Sequence, residues 1–316
     1  MNRSRLRLSA ILAVALLVAA CGSAGPSVLT APPAGMKDLP TASPSPTATP
    51  APTATPLSPD TLFDRGIAQG PAWQSFHLKV TLDGTIKASF LRGLGNPDWA
   101  KLASDAVLDG TVIEGDVDAQ NLAFALSIAA PAGPLLGPAF NGNLVIKDGY
   151  LYLKMPSLGA KYYKVKLGTF SKDLGLPVTI PSPGPAALTD LSNLTGDLRN
   201  HLESLGVSPT LAGTEDIGGR PAYRINLTFP LDVINSDIAS SIASMSSADK
   251  AAKAALSGIK IDSLTSSIWI YTDNYQLAQV QIAAVSSAVG NLNFTMTLTN
   301  FDAPVQITVP PASQIQ

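Results

Sequence analysis

The sequence predicts an α+β domain: a strongly curved antiparallel β-sheet, a half-barrel, with helices laid across its concave face. Three observations predict it. Apolar and polar residues alternate with a period of two through most of residues 60–312. Turn residues such as Asp148-Gly149 separate the alternating runs at hairpin spacing. Three stretches with helical spacing interrupt them, at the start, past the middle and before the last strands. A closed barrel with a few peripheral helices is the alternative arrangement of the same elements.

Ahead of this domain lies a chain that does not belong to the fold. Arg3, Arg5 and Arg7 precede an apolar run from Leu8 to Val18. Eleven helical residues span roughly 16 Å, well short of a hydrocarbon layer of about 30 Å. Residues 1–20 therefore read as an export signal rather than a membrane span. Val18-Ala19-Ala20-Cys21 has the small-residue pattern of a lipobox, in which the cysteine thiol receives a diacylglycerol, and Cys21 is the chain's one cysteine. A thioether there removes a thiol that would be a liability outside the cytoplasm, and no second cysteine exists for a disulfide. Two or three acyl chains give a stable anchor where one gives marginal binding. Cys21 is thus the expected lipidation point of an extracytoplasmic protein of the cell envelope.

Residues 21–59 read as the acylated cysteine plus a disordered tether. The stretch "PTASPSPTATPAPTATPLSP" carries prolines at 40, 44, 46, 50, 52, 56 and 59 and few residues able to bury a core. In polyproline II its twenty residues hold the domain about 60 Å from the lipid.

Residues 60–316 form a single domain. "SPDTLFDRGIAQG" opens it with Pro59 and Asp60 placed to start a short helix. "FHLKVTL" sets Phe76, Leu78, Val80 and Leu82 against His77, Lys79 and Thr81. "AYRINLTF" sets Tyr223, Ile225, Leu227 and Phe229 against Arg224, Asn226 and Thr228, and "NLNFTMTLT" repeats the pattern with Leu292, Phe294, Met296 and Leu298. Asp148-Gly149, Gly218-Gly219 and Asp273-Asn274 supply hairpin turns, and eight to eleven strands are expected. Leucines at 188, 191, 194, 198, 202 and 205 predict a second helix that ends at Gly206. A third runs from a cap at Asp232 to Gly258, with a thin apolar stripe of Ile234, Ile238, Ile242, Met245, Ala252 and Leu256.

No catalytic signature emerges. His77 and His201 both fall on polar faces, and without a free cysteine they form no zinc set. "DVDAQN" at 116–121 starts like a calcium loop but has no glycine at its sixth position and Ser127 at its twelfth, so it reads as a strand end and turn. Ser247-x-x-Lys250 and Ser257-x-x-Lys260 lack the companion motifs of an acyl-enzyme. An enzyme is not expected, nor a cofactor or metal. Removing the signal's three arginines leaves 18 of the 21 basic residues against 23 acids, dispersed and without a basic stripe, which argues against nucleic acid.

"GTEDIGGRPAYRINLTFP", "SSIWIYTDNYQLAQVQI" and "LTNFDAPVQITVP", together with the lipobox, resemble the LppX/LprG type of lipoprotein known from mycobacteria, related in fold to the LolA/LolB lipoprotein carriers. The matching positions are Gly213, Glu215, Gly218 and Tyr223, then Trp269 with Asp273, then Asp302, Pro304 and Pro310. The Ala/Ser-rich helix at 233–257 and "AAPAGPLLGPAFNG" depart from that type. The resemblance implies a half-barrel closed by helices over an apolar cavity that binds or carries acylated molecules, and it brings no catalytic residues.

A physical expectation points the same way. A curved sheet of eight or more strands has more inner apolar surface than one small-residue helix covers, and each methylene buried there contributes roughly 0.8 kcal/mol. The expected lining is Phe76, Leu78, Val80, Leu122, Phe124, Leu126, Ile225, Leu227, Phe229, Phe294, Met296 and Leu298. The competing expectation is that these residues form a dry core, in which case the protein is an envelope scaffold or sensor-associated interaction module without cargo. Its expected partners are membrane lipids, through Cys21, and an apolar acylated ligand, bound by a monomer.

Overall fold

In a computed structural model, the structure describes residues 57–69, 73–94, 99–133, 138–156, 159–167, 202–244, 253, 254 and 256–316. Cys21, the signal and most of the tether lie outside them, as do His201, Lys250 and most of the leucine-rich helix.

The strands are β1 (Ser75–Ile86), β2 (Ala106–Val107), β3 (Thr111–Asp118), β4 (Ala123–Ala130), β5 (Phe140–Lys147), β6 (Tyr150–Lys154), β7 (Tyr163–Lys166), β8 (Ser208–Ile217), β9 (Arg220–Thr228), β10 (Ser263–Tyr271), β11 (Leu277–Ser286) and β12 (Gly290–Thr299). Among the described residues, α1 (Pro59–Gln69), α2 (Ala88–Gly93) and α3 (Leu231–Ser244) accompany them. The strands form one twelve-stranded sheet in the order β7-β6-β5-β4-β3-β1-β12-β11-β10-β9-β8, with β2 attached to β1. Two meanders, one from each half of the chain, are sewn together by ten antiparallel residue pairs between β1 and β12. β7 and β8, consecutive among the described strands, sit at opposite edges, so the sheet is open and the closed-barrel alternative does not hold.

Local chemistry explains much of this. Asp148 (φ 52°) and Gly149 (φ 76°) make the mirror-image turn whose twist matches that of the flanking strands, and it sets the β5–β6 register. Bends are built in where β1 meets β12. A Cβ on Gly84 would stand 2.2 Å from the Asn291 carbonyl oxygen, and one on Gly290 1.9 Å from that of Thr85. Such glycine kinks, with register shifts at Leu211/Gly213 and Trp269/Ile270, let a wide sheet curve instead of lying flat.

α1 begins as expected, with the Ser58 hydroxyl accepting from the Thr61 amide at 3.1 Å and Pro59 in the first turn. Leu62 and Phe63 turn inward to pack with Ile225, Ile268 and Ile270. At the end of the leucine-rich stretch, Val207 N–H reaches Leu202 O and Gly206 N–H reaches Glu203 O, the paired bonds that stop a helix at a left-handed glycine. α3 starts one residue before the expected cap; beyond Ser244 only 253, 254 and 256–258 of the expected span are described. Its Ile234, Ile238 and Ile242 are only half-buried. The Asn235 amide ties it down by accepting from Ile261 N–H at 2.7 Å and donating to Ile261 O at 3.0 Å.

On the opposite, outer face the last residues run back over the sheet. Ile307 is buried against Ala123, Val145 and Tyr152, the Lys147 ammonium donates to its carbonyl, and Ile315 bridges to Tyr162.

Candidate apolar ligand site

Period-two alternation delivers the expected lining to one face of the sheet. Leu78 stands opposite Leu298, Val80 opposite Met296, and Gly115 lies between Leu78 and Leu126. Phe76, Leu78, Val80, Leu126, Met296 and Leu298 join one cluster, with Phe124 and Phe294 packed at its margin. Ile225 and Leu227, with Phe229 alongside, join a second cluster under α1. Leu277 and Val280 touch both, so the apolar face runs unbroken across the sheet.

Burial divides the twelve. Phe76, Leu78, Val80, Leu126, Ile225, Leu227, Met296 and Leu298 are between 0% and 9% exposed. Phe124, Phe229 and Phe294 are half-buried. Leu122 departs from the expectation: it occupies the turn before β4 with φ 48° and belongs to neither cluster. Asp118 explains the turn, because its carboxylate accepts from both the backbone and side-chain amides of Asn121 and ends β3. The strand end and turn read from "DVDAQN" is therefore what forms.

The apolar face is not covered throughout. Ile282 is 37% exposed and Leu292 39%, on adjacent strands, with Ile282 paired to Phe294 and Leu292 two residues from Phe294 along β12. Leu211 on the edge strand and Val233 on α3 are similarly open. Both lie in alternating stretches, Leu292 in "NLNFTMTLT" and Ile282 after Gln279 and Gln281 in "YQLAQVQI". Their exposure depends on which parts of the sheet the helices cover, and alternation says nothing of that.

The outer face is polar, with three features that sequence reading does not assemble. Trp269 Nε1–H donates to Glu215 at 2.8 Å and Arg224 donates to the same carboxylate at 2.9 Å, so these two bonds hold the Glu215 carboxyl below its usual value. Glu215, Trp269 and Tyr223 come from the motifs that carry the resemblance, and Asp273 of the same motifs takes both oxygens to Arg220, at 2.9 Å each. His77 is clamped on β1 between Asp116 at 2.8 Å and Glu114 at 3.3 Å. Partial burial lowers its pKa, but the bonds to the two carboxylates outweigh that and raise it above the ordinary value. Grooves lined by described residues also open on this face. One of about 590 Å³ also reaches two of the expected lining residues, where Arg224, Asn226, Ser267 and Gln281 meet Leu227 and Phe229.

Chemically, the inner face offers an uncharged wall suited to alkyl chains. Among the described residues, no group of three His, Cys, Asp or Glu side chains is disposed to hold a metal, and no helix is long and apolar enough to cross a membrane.

Comparison with known proteins agrees with the sequence motifs. No protein-family model matches the chain. Over 179 residues it is 31% identical to the "Lipoarabinomannan carrier protein LprG" of Mycobacterium leprae, a match covering 56% of this chain and 59% of that protein's length. Among solved structures, lipoprotein LppX of Mycobacterium tuberculosis aligns at 14% identity and TM-score 0.40, over 78% of this chain and 97% of that one. LprF of Mycobacterium bovis aligns at 18% identity and TM-score 0.40, over 80% and 96%. The chain is thus similar to LprG over about three fifths of that protein's length, in keeping with the resemblance its own residues carry.

Proposed function

We propose that this protein is a membrane-anchored, extracytoplasmic lipoprotein that binds, and passes on, a lipid or other acylated apolar ligand along the inner face of its sheet. The observation that carries this reading is the open margin at Ile282 and Leu292, continuous with the half-buried Phe294 and the core behind it. Leaving large aliphatic side chains in water costs about 25 cal/mol per Å², which an alkyl chain laid along them would recover. The name of the LprG relative, a lipoarabinomannan carrier, describes cargo of that acylated class and supports the reading. Cys21, at the end of its lipobox, supplies the anchor.

A specific observation favours a second reading, an interaction module without cargo: eight of the twelve expected lining residues are already buried by the protein itself. Saturable uptake of a pyrene-labelled fatty acid, blocked by Ile282→Glu, separates the two. The carrier takes up the probe and the module does not. Cys21→Ser tests the anchor, because the altered protein should leave the membrane fraction with its domain folded. Retention in that fraction would contradict the anchor.

A further inference from the structure

We propose that the outer face of the β5–β7 edge is a docking surface for anionic lipid headgroups, which seats the domain edge-on against a membrane surface. This stands apart from the cargo reading and does not depend on it.

The composition is local and lopsided. Residues 147–166, "KDGYLYLKMPSLGAKYYKVK", hold five lysines, four tyrosines and one acid, Asp148, in a chain whose net charge is −2. Pairing then concentrates what is dispersed along the chain. Lys147, Tyr150 and Lys166 share one cross-strand row, Tyr152 and Lys164 the next, and Lys154 follows two residues on along β6. Alternation puts all of them on the outer face, where the last residues of the chain cover Tyr152 and take the Lys147 ammonium and leave Lys154, Lys161 and Lys164 toward solvent.

The lysines there are held by rings. The Lys164 ammonium lies 4.1 Å from the Tyr150 ring centroid and 5.6 Å from that of Tyr152, and Lys154 lies 5.6 Å from that of Tyr162. Cation–π contacts of this kind position a charge without neutralising it. Lys161 and Lys164 are exposed.

The last residues of the chain pair with Tyr162 beside the patch, Gln316 N–H reaching Tyr162 O at 2.9 Å, whereas the acidic side chains of β3 lie further off. Glu114, Asp116 and Asp118 line β3, three strands from β6. At ~4.8 Å per strand that is about 14 Å, beyond the ~8 Å screening length of physiological salt. Glu114 is moreover engaged by His77 and Lys79.

The residue types select the partner. Lysine stems beside tyrosine rings with polar tips match the boundary between lipid headgroups and water. No arginine lies in the segment, and the planar fork that reads a phosphate specifically is therefore missing. A lysine at an anionic leaflet contributes about fivefold in partitioning, so three together contribute on the order of a hundredfold. That is enough to orient a tethered domain while leaving it free to detach.

The test is acetylation footprinting of the full chain with vesicles of phosphatidylcholine alone or mixed with phosphatidylglycerol. Lys154, Lys161 and Lys164 should be protected by the anionic vesicles alone, and less so as salt is raised, while Lys79 and Lys101 react unchanged. In sedimentation, K154Q/K161Q/K164Q should lower the affinity for anionic vesicles on the order of a hundredfold relative to the parent chain. Equal protection on both vesicle types, or protection of Lys101 as strong as that of the edge, would overturn the proposal. So would protection by heparin without protection by anionic vesicles, which would assign the face to an acidic polymer. The footprint is read on the unaltered chain, so a folding defect in the variant cannot mimic either outcome.

Discussion

Trp269 on β10 and Glu215 on β8 are joined at 2.8 Å across the intervening strand β9, whose Arg224 binds the same carboxylate and lies 5.3 Å from the indole ring. One acidic side chain thus ties three strands together at the sheet's open edge. Because the carboxyl is held below its usual value, its contribution is present above the unfolded glutamate value and is lost as pH falls through the lower, folded one. Glu215→Gln should therefore reduce the loss of stability on acidification, and its effect should be less than additive with Trp269→Phe in a double-mutant cycle. Additive effects would mean that the bond carries no coupling.

The His77 clamp has the opposite sign. Its folded value lies above the ordinary 6.5, so its contribution is complete below that value and is lost as pH rises through the folded one. Lys79 shares Glu114 with it, and Thr299 is its neighbour on β12. Ring-proton NMR of the native protein should show titration above 6.5, and Asp116→Asn should move it down. Titration at or below 6.5 would contradict the clamp.

Core and margin should respond differently to truncation. Leu298 is 1% exposed at the centre of the larger cluster, and Leu298→Ala should cost about 2–5 kcal/mol in urea unfolding. Ile282, 37% exposed, should cost about 1 kcal/mol or less as alanine while weakening uptake of an acyl probe. Equal costs would mean that the margin is packed like the core.

The bend between β1 and β12 depends on bare backbone. Gly290 has φ 129° and no room for a side chain, whereas Gly213 has φ 137° but nothing within 4 Å of where a Cβ would stand. Gly290→Ala should cost well over about 1 kcal/mol and more than Gly213→Ala, measured by thermal unfolding. The reverse order would contradict the close approach.

Much of this architecture is legible because antiparallel strands write their burial into alternate residues. Phe76 to Leu82 and Leu292 to Leu298 show it, and Asp148-Gly149 fixes a turn by its own conformational preference. What escapes reading depends on partners far apart in sequence. Nothing local says that β1 pairs with β12, that Glu215 reaches Trp269, or that five lysines spread over twenty residues gather at one edge. β2 has two residues and α2 six, too short for a period to register. The spacing of Phe124 and Leu126 extends back to Leu122 and predicts a strand there. Asp118 and Asn121 override that spacing with a turn.

The most direct measurement of the central claim is native mass spectrometry of the protein purified without added lipid. A carrier should show adduct masses in the range of acylated species, released by organic solvent and lost in Ile282→Glu or Phe294→Glu protein that still folds. A homogeneous mass equal to that of the protein alone, with no adduct under any gentle preparation, would contradict it.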